Sequence, residues 1–149
     1  MTPRQPDIVI RRLREEDAES VCEIFRMITK RSPDENFKQL VYDHAQDKKG
    51  CHFVALLGGR VVAFMINYIL TLGFGAEKHA WIAVMGVNPK FMGQGIGAHM
   101  AREAFEYFQR EGIKTVYATV RWDSTDLLSF LKGLGFEKSD YLNLKKELA

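Results

Sequence analysis

The stretch AWIAVMGVNPKFMGQGIGA, residues 80–98, decides the fold expected for this chain. Residues 80–87 form an apolar run that only Gly86 interrupts, and this content predicts a strand buried on both faces. Glycine then occupies positions 93, 95 and 97, and no acidic side chain lies among residues 93–98. The apolar residues after the turn recur at helical spacing: Ile96, Met100, Ala101, Ala104, Phe105 and Phe108. A buried strand therefore leads into a glycine-rich turn, and the turn opens a helix.

The glycine-rich turn suits a bound anion. The first N–H groups of a helix have no partner inside the helix and carry the positive end of its dipole. Glycine lets several N–H groups converge and lets a ligand approach the main chain without meeting a Cβ atom. Phosphate is the ligand that fits such a cradle best. The alternative is a tight strand-to-helix turn that binds nothing.

Two better-known phosphate-binding motifs do not fit this turn. A Walker loop needs Gly-Lys followed by Ser or Thr, and the chain contains no such sequence. Gly93, Gly95 and Ala98 formally match the dinucleotide fingerprint, but no acidic residue follows at a distance of about 20 positions. The chain after Ala98 is also too short for a full doubly wound domain. A nicotinamide-binding domain is therefore not expected.

Length and composition predict one domain covering residues 1–149. The net charge of +2 comes from interleaved positive and negative side chains, so neither a nucleic acid nor a membrane is an expected partner. The first residues lack the apolar segment of a signal peptide, and a cytoplasmic location is expected. Cys22 and Cys51 match no redox or zinc spacing, and the histidines show no metal-ligand spacing. No metal is therefore predicted.

Before residue 80 the pattern predicts two helices and three strands. The strands are expected at residues 8–10, 52–57 and 60–70. Asp17 is the expected N-cap of the first helix, and the second is expected to start at Ser32, Pro33 and Asp34. Gly58 and Gly59 separate two apolar runs, which predicts a hairpin because glycine permits positive φ at both turn positions.

After the turn the pattern predicts alternating helices and strands. The long helix is expected to stop at Gly112, and a strand is expected over residues 114–122. Asp123 or Ser124 is expected to cap a short helix, and one or two final strands are expected within residues 136–148. The predicted order is β-α-α-β-β-β-α-β-α-β. It corresponds to an α/β fold with a mixed, mostly antiparallel central sheet and helices on both faces.

Gly86, near the end of the central strand, predicts either a β-bulge or a close backbone approach. A bulge there would separate this strand from its parallel neighbour. Main-chain groups without a strand partner would then be available to a ligand.

The segments VNPKFMGQGIGAHM and SFLKGLGF, supported by VIRRLREEDAESV, resemble the GCN5-related N-acetyltransferase (GNAT) superfamily. Members typically show a strand that ends in V-x-P, an R/Q-x-x-G-x-G/A turn that opens a helix, and a later G-F pair. The matching positions here are Val87–Asn88–Pro89, Gly95–Ile96–Gly97 and Gly135–Phe136. The resemblance covers nearly the whole chain and implies the acyl-CoA N-acyltransferase fold.

The resemblance also implies acetyl-CoA as a co-substrate. The main chain of Met85, Gly86 and Val87 is expected to line the pantetheine arm. The residues whose backbone N–H groups are expected to hold the pyrophosphate are Gly93, Gln94, Gly95, Ile96, Gly97 and Ala98. Ser124 stands where many members have an asparagine that contacts the cofactor.

Besides Ser124, the chain departs from the family pattern at four positions. Met92 replaces the usual Arg or Gln of the turn, which removes one side-chain contact to phosphate. Leu131 stands where many members have a tyrosine that protonates the departing thiolate. Ala83 and Thr119 occupy positions comparable to those of the usual glutamate base, and neither takes up a proton. Because a thiol has a pKa of about 8.5, its anion is a tolerable leaving group without an acid, so catalysis is not ruled out.

Asp123 is the candidate general base, with a helix N-cap as its alternative role; Tyr117 and His79 are further candidates. The expected function is transfer of an acetyl group from acetyl-CoA to a primary amine, by direct attack when both substrates are bound. An N–H near Val87 is expected to meet the developing oxyanion. The alternative is a non-catalytic module that binds CoA or acyl-CoA as a sensor or partner. Peptides, polyamines, amino sugars and small metabolites all stay open as the acceptor. Whether the protein forms a homodimer also stays open.

Overall fold

A five-stranded sheet, ordered β1-β2-β3-β4-β5, forms the centre of the fold. The computed structural model describes residues 7–32, 35–47, 50–71 and 75–149, which divide into two units, Met1–Ala118 and Thr119–Ala149. The strands, all in the first unit, are β1 (Ile8–Arg12), β2 (Phe53–Leu57), β3 (Arg60–Thr71), β4 (Lys78–Val87) and β5 (Val116–Ala118). Neighbouring strands from β1 to β4 are antiparallel, and β4 pairs with β5 in parallel.

Helices cover both faces of this sheet. The helices of the first unit are α1 (Ala18–Thr29), α2 (Glu35–Gln46) and α3 (Ile96–Arg110). Val54 of β2 packs in a core cluster with Val21 of α1 and Val41 of α2. Its neighbour Phe53 instead meets the ring of Tyr107 of α3, with centroids 5.6 Å apart. Because successive strand residues point to opposite faces, α1 and α2 lie on one face and α3 on the other. The predicted fold class is confirmed.

The hairpin between β2 and β3 forms where it was predicted. Gly58 and Gly59 have φ values of +58° and +80°, and Leu57 pairs with Arg60 across the turn. These backbone angles lie in the left-handed region, which favours glycine. The glycine pair therefore fixes the register next to the turn, and Val62 is an extra residue that shifts the register between Leu56 and Ala55.

The bulge of the central strand lies at Ala83, not at Gly86. Ile66 of β3 pairs with Val84, but the next residue of β3, Asn67, pairs with Ile82, so Ala83 is the extra residue. A Cβ atom at Gly86 would lie 2.8 Å from Cδ1 of Ile28 and 3.0 Å from Cε1 of Phe64. The bulge predicted at this glycine is therefore wrong, and the groups that approach it closely are the side chains of Ile28 and Phe64, not another backbone segment.

The start of α1 also differs from the prediction. Asp17 occupies the N-cap position but makes no side-chain capping bond there. Its buried carboxylate instead accepts two bonds from Arg11, at 2.7 and 2.9 Å, and one from the backbone N–H of Arg14 at 2.8 Å. An arginine fork and one main-chain donor therefore occupy the carboxylate. The predicted start of α2 includes residues 33 and 34, which lie outside the described residues.

The second unit contains α4 (Thr125–Gly133), followed by residues 136–149 without helix or strand. The final strands predicted there are therefore absent. Leu142 and Leu144 are 82% and 91% exposed, and the sheet formed by the described residues includes neither of them. A strand needs such a ladder, and the apolar pattern of residues 141–148 does not supply one. The strand predicted over residues 114–122 is likewise shortened to β5.

Candidate functional site

The turn after β4 is held by a buried asparagine. Asn88, 2% exposed, donates its backbone N–H to the carbonyl oxygen of Val62 at 2.8 Å. Its Oδ1 accepts a bond from the backbone N–H of Lys90 at 2.9 Å, which caps a short 3-10 helix, Pro89–Phe91. Asn88 therefore ties the beginning of the turn to β3. The glycine-rich segment starts from this fixed point.

Two glycines give the segment its shape. Gly93 and Gly95 have φ values of +83° and +77°, and Gly95 is the N-cap of α3. A Cβ atom at either position would meet nothing within 4 Å, so open space lies in front of the main chain. Gln94 is exposed, whereas Ile96 and Gly97 are buried. The segment thus presents main chain, not a charged side chain, to that space.

The backbone N–H groups of this segment are available as donors. His99 N–H bonds the carbonyl oxygen of Gly95 at 3.0 Å, as expected for the first closed turn of α3. Within the described ranges, the N–H groups of residues 93–98 bond no main-chain acceptor. Such donors at the positive end of a 15-residue helix favour an anion.

The last part of β4 presents a second set of main-chain groups. Asn88 N–H bonds Val62, so the preceding pair, Val87 and Ala63, is a non-hydrogen-bonded pair of the antiparallel ladder. The N–H and C=O groups of Val87 and Met85 therefore point away from β3, and those of Gly86 point toward it. On the side away from β3, β4 pairs with β5 only as far as Ile82. In the described part of the chain, residues 83–87 thus keep an open edge beside the glycine turn.

None of the positions compared with the usual acid and base carries a titrating group. Ala83 is exposed at the bulge, and Leu131 is buried at 5% exposure. The hydroxyl of Thr119 accepts a bond from Asn143 Nδ2 at 3.4 Å. The described residues therefore supply neither a carboxylate nor a phenol at these places.

Asp123, the candidate base, is exposed and paired with Arg121. Two hydrogen bonds of 3.0 Å join the guanidinium and the carboxylate, and this bonding lowers the pKa of Asp123. A lower pKa makes the carboxylate a weaker proton acceptor. The alternative role of helix cap is wrong for Asp123, because Ser124 is the N-cap of α4. The Ser124 side chain makes no capping bond there.

Sequence reasoning named His79 and Tyr117 as candidate bases but missed that they belong to a patch of rings on the face covered by α1 and α2. Trp81 stacks on Tyr117 with centroids 4.6 Å apart and an angle of 25°, and His79 meets Tyr117 edge-on at 5.5 Å. Tyr68 is the register partner of Trp81 on β3, and its hydroxyl lies 2.6 Å from Nε2 of His44. The sequence signal that could have revealed this patch is the alternation of rings at positions 79 and 81. The ring patch is defined as His79, Trp81, Tyr117 and Tyr68.

A buried histidine lies behind this patch. His52, 6% exposed, stacks on His44 at 4.4 Å, and its Nδ1 accepts the backbone N–H of Asn67 at 3.2 Å. Burial lowers the pKa of His52 to about 4 and also lowers the pKa of His44. Burial raises the pKa of the nearby Cys51 thiol to about 11. All three groups are therefore uncharged at neutral pH.

Comparison with protein families adds the decisive observation. The sequence model of the family described as Acetyltransferase (GNAT) family matches residues 15–136. The chain belongs to this family. The family predicted from the sequence is thus confirmed. The enzyme class predicted from the sequence, acyltransferase, is the class to which this GNAT family belongs.

Known proteins similar to this GNAT chain include two solved structures whose names give different acceptors. An uncharacterized N-acetyltransferase of Methanocaldococcus jannaschii is 32% identical over 93 residues, which span 59% of this chain and 39% of that protein. An aminoglycoside N-acetyltransferase solved in complex with CoA has a TM-score of 0.83 at 16% identity, covering 100% of both chains. A ribosomal-protein-alanine N-acetyltransferase from Brucella melitensis has a TM-score of 0.78 at 14% identity, covering 96% of this chain and 100% of that chain. At these identities the two solved structures show a shared fold.

The described residues lack both a metal-binding cluster and a membrane-spanning helix. No group of three or more His, Cys, Asp or Glu side chains in that part of the chain is placed to hold a metal ion. No helix there is long and apolar enough to cross a membrane.

Proposed function

We propose that this GNAT protein transfers the acetyl group of acetyl-CoA to a primary amine. The proposal depends on one observation: main-chain hydrogen-bond donors line the open edge of β4 and continue at the start of α3. A diphosphate fits the N–H groups of residues 93–98, because the positive φ values of Gly93 and Gly95 leave open space in front of them. Acetyl-CoA supplies the thioester and its acetyl group.

The pantetheine arm is proposed to run back along β4 from the diphosphate. Its two amides need hydrogen-bond partners, and Met85 and Val87 offer N–H and C=O groups that point away from β3. Gly86 contributes differently, since its hydrogen atoms allow Ile28 and Phe64 to pack against the strand. The thioester then lies at the Met85 end of this edge, toward Ala83.

The proposed reaction is direct attack within a ternary complex. The amine nitrogen forms a bond to the acetyl carbon, the carbon–sulfur bond breaks, and the electron pair leaves with sulfur. The donor proposed for the carbonyl oxygen, as negative charge develops on it, is the outward N–H of Met85, the residue near Val87 at the end of the edge where the thioester lies. Holding amine and thioester in contact supplies much of the rate, on the order of 7–11 kcal/mol in ideal cases.

Proton transfer is proposed to rely on solvent more than on a dedicated side chain. The thiolate takes its proton from water, because Leu131 stands at the position of the usual acid and a thiol has a pKa of about 8.5. Asp123 stays a candidate base, although Arg121 lowers its pKa. The ammonium proton of the acceptor must leave before attack, which favours activity at alkaline pH.

The test is release of free thiol from acetyl-CoA with a panel of primary amines, together with calorimetry using CoA. We expect CoA to bind and at least one amine to release thiol faster than buffer alone. Absence of binding heat at millimolar CoA contradicts the proposal entirely.

The second candidate is a non-catalytic CoA-binding module, proposed because the positions of the usual acid and base carry Leu131, Ala83 and Thr119. A binder would show a CoA-dependent rise in Tm without thiol release from any amine. The same two measurements therefore separate the two candidates.

A further inference from the structure

We propose that the ring patch receives the acceptor, and that the acceptor is a monoamine carried on an aromatic group. This inference rests on the proposed acetyl transfer and names the substrate class of that site. Trp81 and Tyr117 stack at 4.6 Å and are both half-buried, so their rings form a fixed wall. Aromatic pairs of this kind accept a further ring in offset or edge-to-face contact.

The patch lies where the acceptor must approach. Trp81 and Tyr117 are paired across β4 and β5, and the two strands remain paired for only one further position, Ile82 with Ala118. The bulge at Ala83 follows immediately, and the proposed edge for the pantetheine arm begins at Met85. An arm that runs from Val87 toward Ala83 therefore directs its thioester at the end of the strand where the rings stand.

The chemistry of the patch favours one positive charge over several. None of its four side chains is a carboxylate, and the acidic residues that act on the neighbouring His44 are Asp43 and Asp47 at the end of α2. An ammonium group that leaves water needs a partner, and a polycation needs one for each charge. A single ammonium can instead be held over the ring faces by cation–π attraction until it loses its proton.

His79 supplies one polar contact at the edge of the patch. Its Nδ1 is buried and has no hydrogen-bond partner among the described residues. The imidazole meets Tyr117 edge-on, so the orphaned nitrogen belongs to the same group of rings. A polar atom of the acceptor would satisfy it, which adds specificity to ring stacking.

The test uses 2-phenylethylamine as the aromatic monoamine, with n-butylamine and spermidine for comparison. Trp81 and Trp122 are the two tryptophans of the chain, so Trp122→Phe leaves Trp81 as the sole indole reporter. We expect 2-phenylethylamine to change the fluorescence of this variant in the presence of CoA, whereas spermidine does not. We also expect kcat/KM to be about tenfold higher for 2-phenylethylamine than for n-butylamine.

The matched variants are Trp81→Ala and Tyr107→Leu, because Tyr107 makes a ring pair with Phe53 on the opposite face of the sheet. Trp81→Ala should lower kcat/KM for 2-phenylethylamine about tenfold and leave the KM for acetyl-CoA unchanged. Tyr107→Leu should change neither value, although it also loses a ring contact.

Each other outcome has a definite meaning. Turnover that is highest with spermidine and unchanged in Trp81→Ala overturns the acceptor assignment and leaves acetyl transfer intact. A fluorescence change with 2-phenylethylamine but no thiol release overturns acetyl transfer and supports the amine site. No fluorescence change with any amine overturns the ring patch as the acceptor site.

Discussion

Replacing Gly95 by alanine should damage cofactor binding more than folding, and Gly59 provides the control. Gly95 and Gly59 have φ values of +77° and +80°, and a Cβ atom at either meets nothing within 4 Å. The cost to folding therefore comes from the left-handed backbone alone, about 1–2 kcal/mol in each variant. Urea denaturation should give the same loss for both.

The two variants should differ in their affinity for CoA. The new methyl group at position 95 would occupy the space in front of the N–H groups of residues 93–98, whereas Gly59 lies in the β2–β3 hairpin, outside the segment that carries those donors. Loss of one hydrogen bond to a charged group costs about 1.5–3 kcal/mol, which weakens binding roughly tenfold to a hundredfold. Gly59→Ala should bind CoA as the unchanged protein does.

Calorimetry with CoA and with pantetheine tests the assignment to the diphosphate. Pantetheine lacks the diphosphate, so its affinity should be equal in Gly95→Ala and Gly59→Ala. The reasoning is refuted if Gly95→Ala binds CoA as tightly as Gly59→Ala while the two lose equal stability. Equal losses of CoA and pantetheine affinity in Gly95→Ala would place the damage in the strand, not in the phosphate cradle.

Three further predictions concern stability. Burial lowers the pKa of His52 to about 4, so the neutral side chain contributes its full stability above pH 6.5 and loses that contribution as the pH falls toward 4. The free energy of unfolding in urea should therefore fall between pH 7 and pH 4.5 by about 2 kcal/mol more in the unchanged protein than in His52→Gln. Gly86→Ala should cost about 1–3 kcal/mol by overpacking, and Ile28→Val in the same chain should restore part of it by removing the atom 2.8 Å from the new methyl, as measured by thermal unfolding. Asp17→Asn should lower the free energy of unfolding in urea by about 2 kcal/mol, because it breaks a buried carboxylate–arginine pair joined by two hydrogen bonds. The control Glu16→Gln changes an exposed carboxylate and should lower it by less than about 0.5 kcal/mol. Equal losses in the two variants would contradict this prediction.

The sequence predicted those parts of the fold that local chemistry determines. The glycine pair of the hairpin, the apolar run of β4 and the apolar stripe of α3 each specify their element with few alternatives. The final strands were wrong because an apolar pattern indicates a strand only when a neighbouring strand is present, and residues 136–149 have none. Asp17 was placed as a cap because its competing partner, Arg11, becomes close only when β1 and α1 meet.

The glycine-rich turn of the candidate site could be predicted from the sequence, but the ring patch could not. Gly93 and Gly95 point to an anion site by residue type and spacing, and both have the positive φ that such a turn requires. The wall made by Trp81 and Tyr117 could not be placed, since the bulge at Ala83 interrupts the alternation of β4. Without that register, no sequence pattern shows that position 81 shares a face with β3 residues 66 and 68.

The parallel pairing of β4 with β5 extends over only three rungs, Ala80 to Ile82 with Val116 to Ala118. Local opening of a protein begins where few hydrogen bonds must break, and here that place borders the proposed meeting point of thioester and amine. Deuterium should therefore enter the amides of β5 well before those of β3, whose central residues are buried between two strands. We therefore expect the sheet to open first at its β5 edge, while the inner strands stay paired.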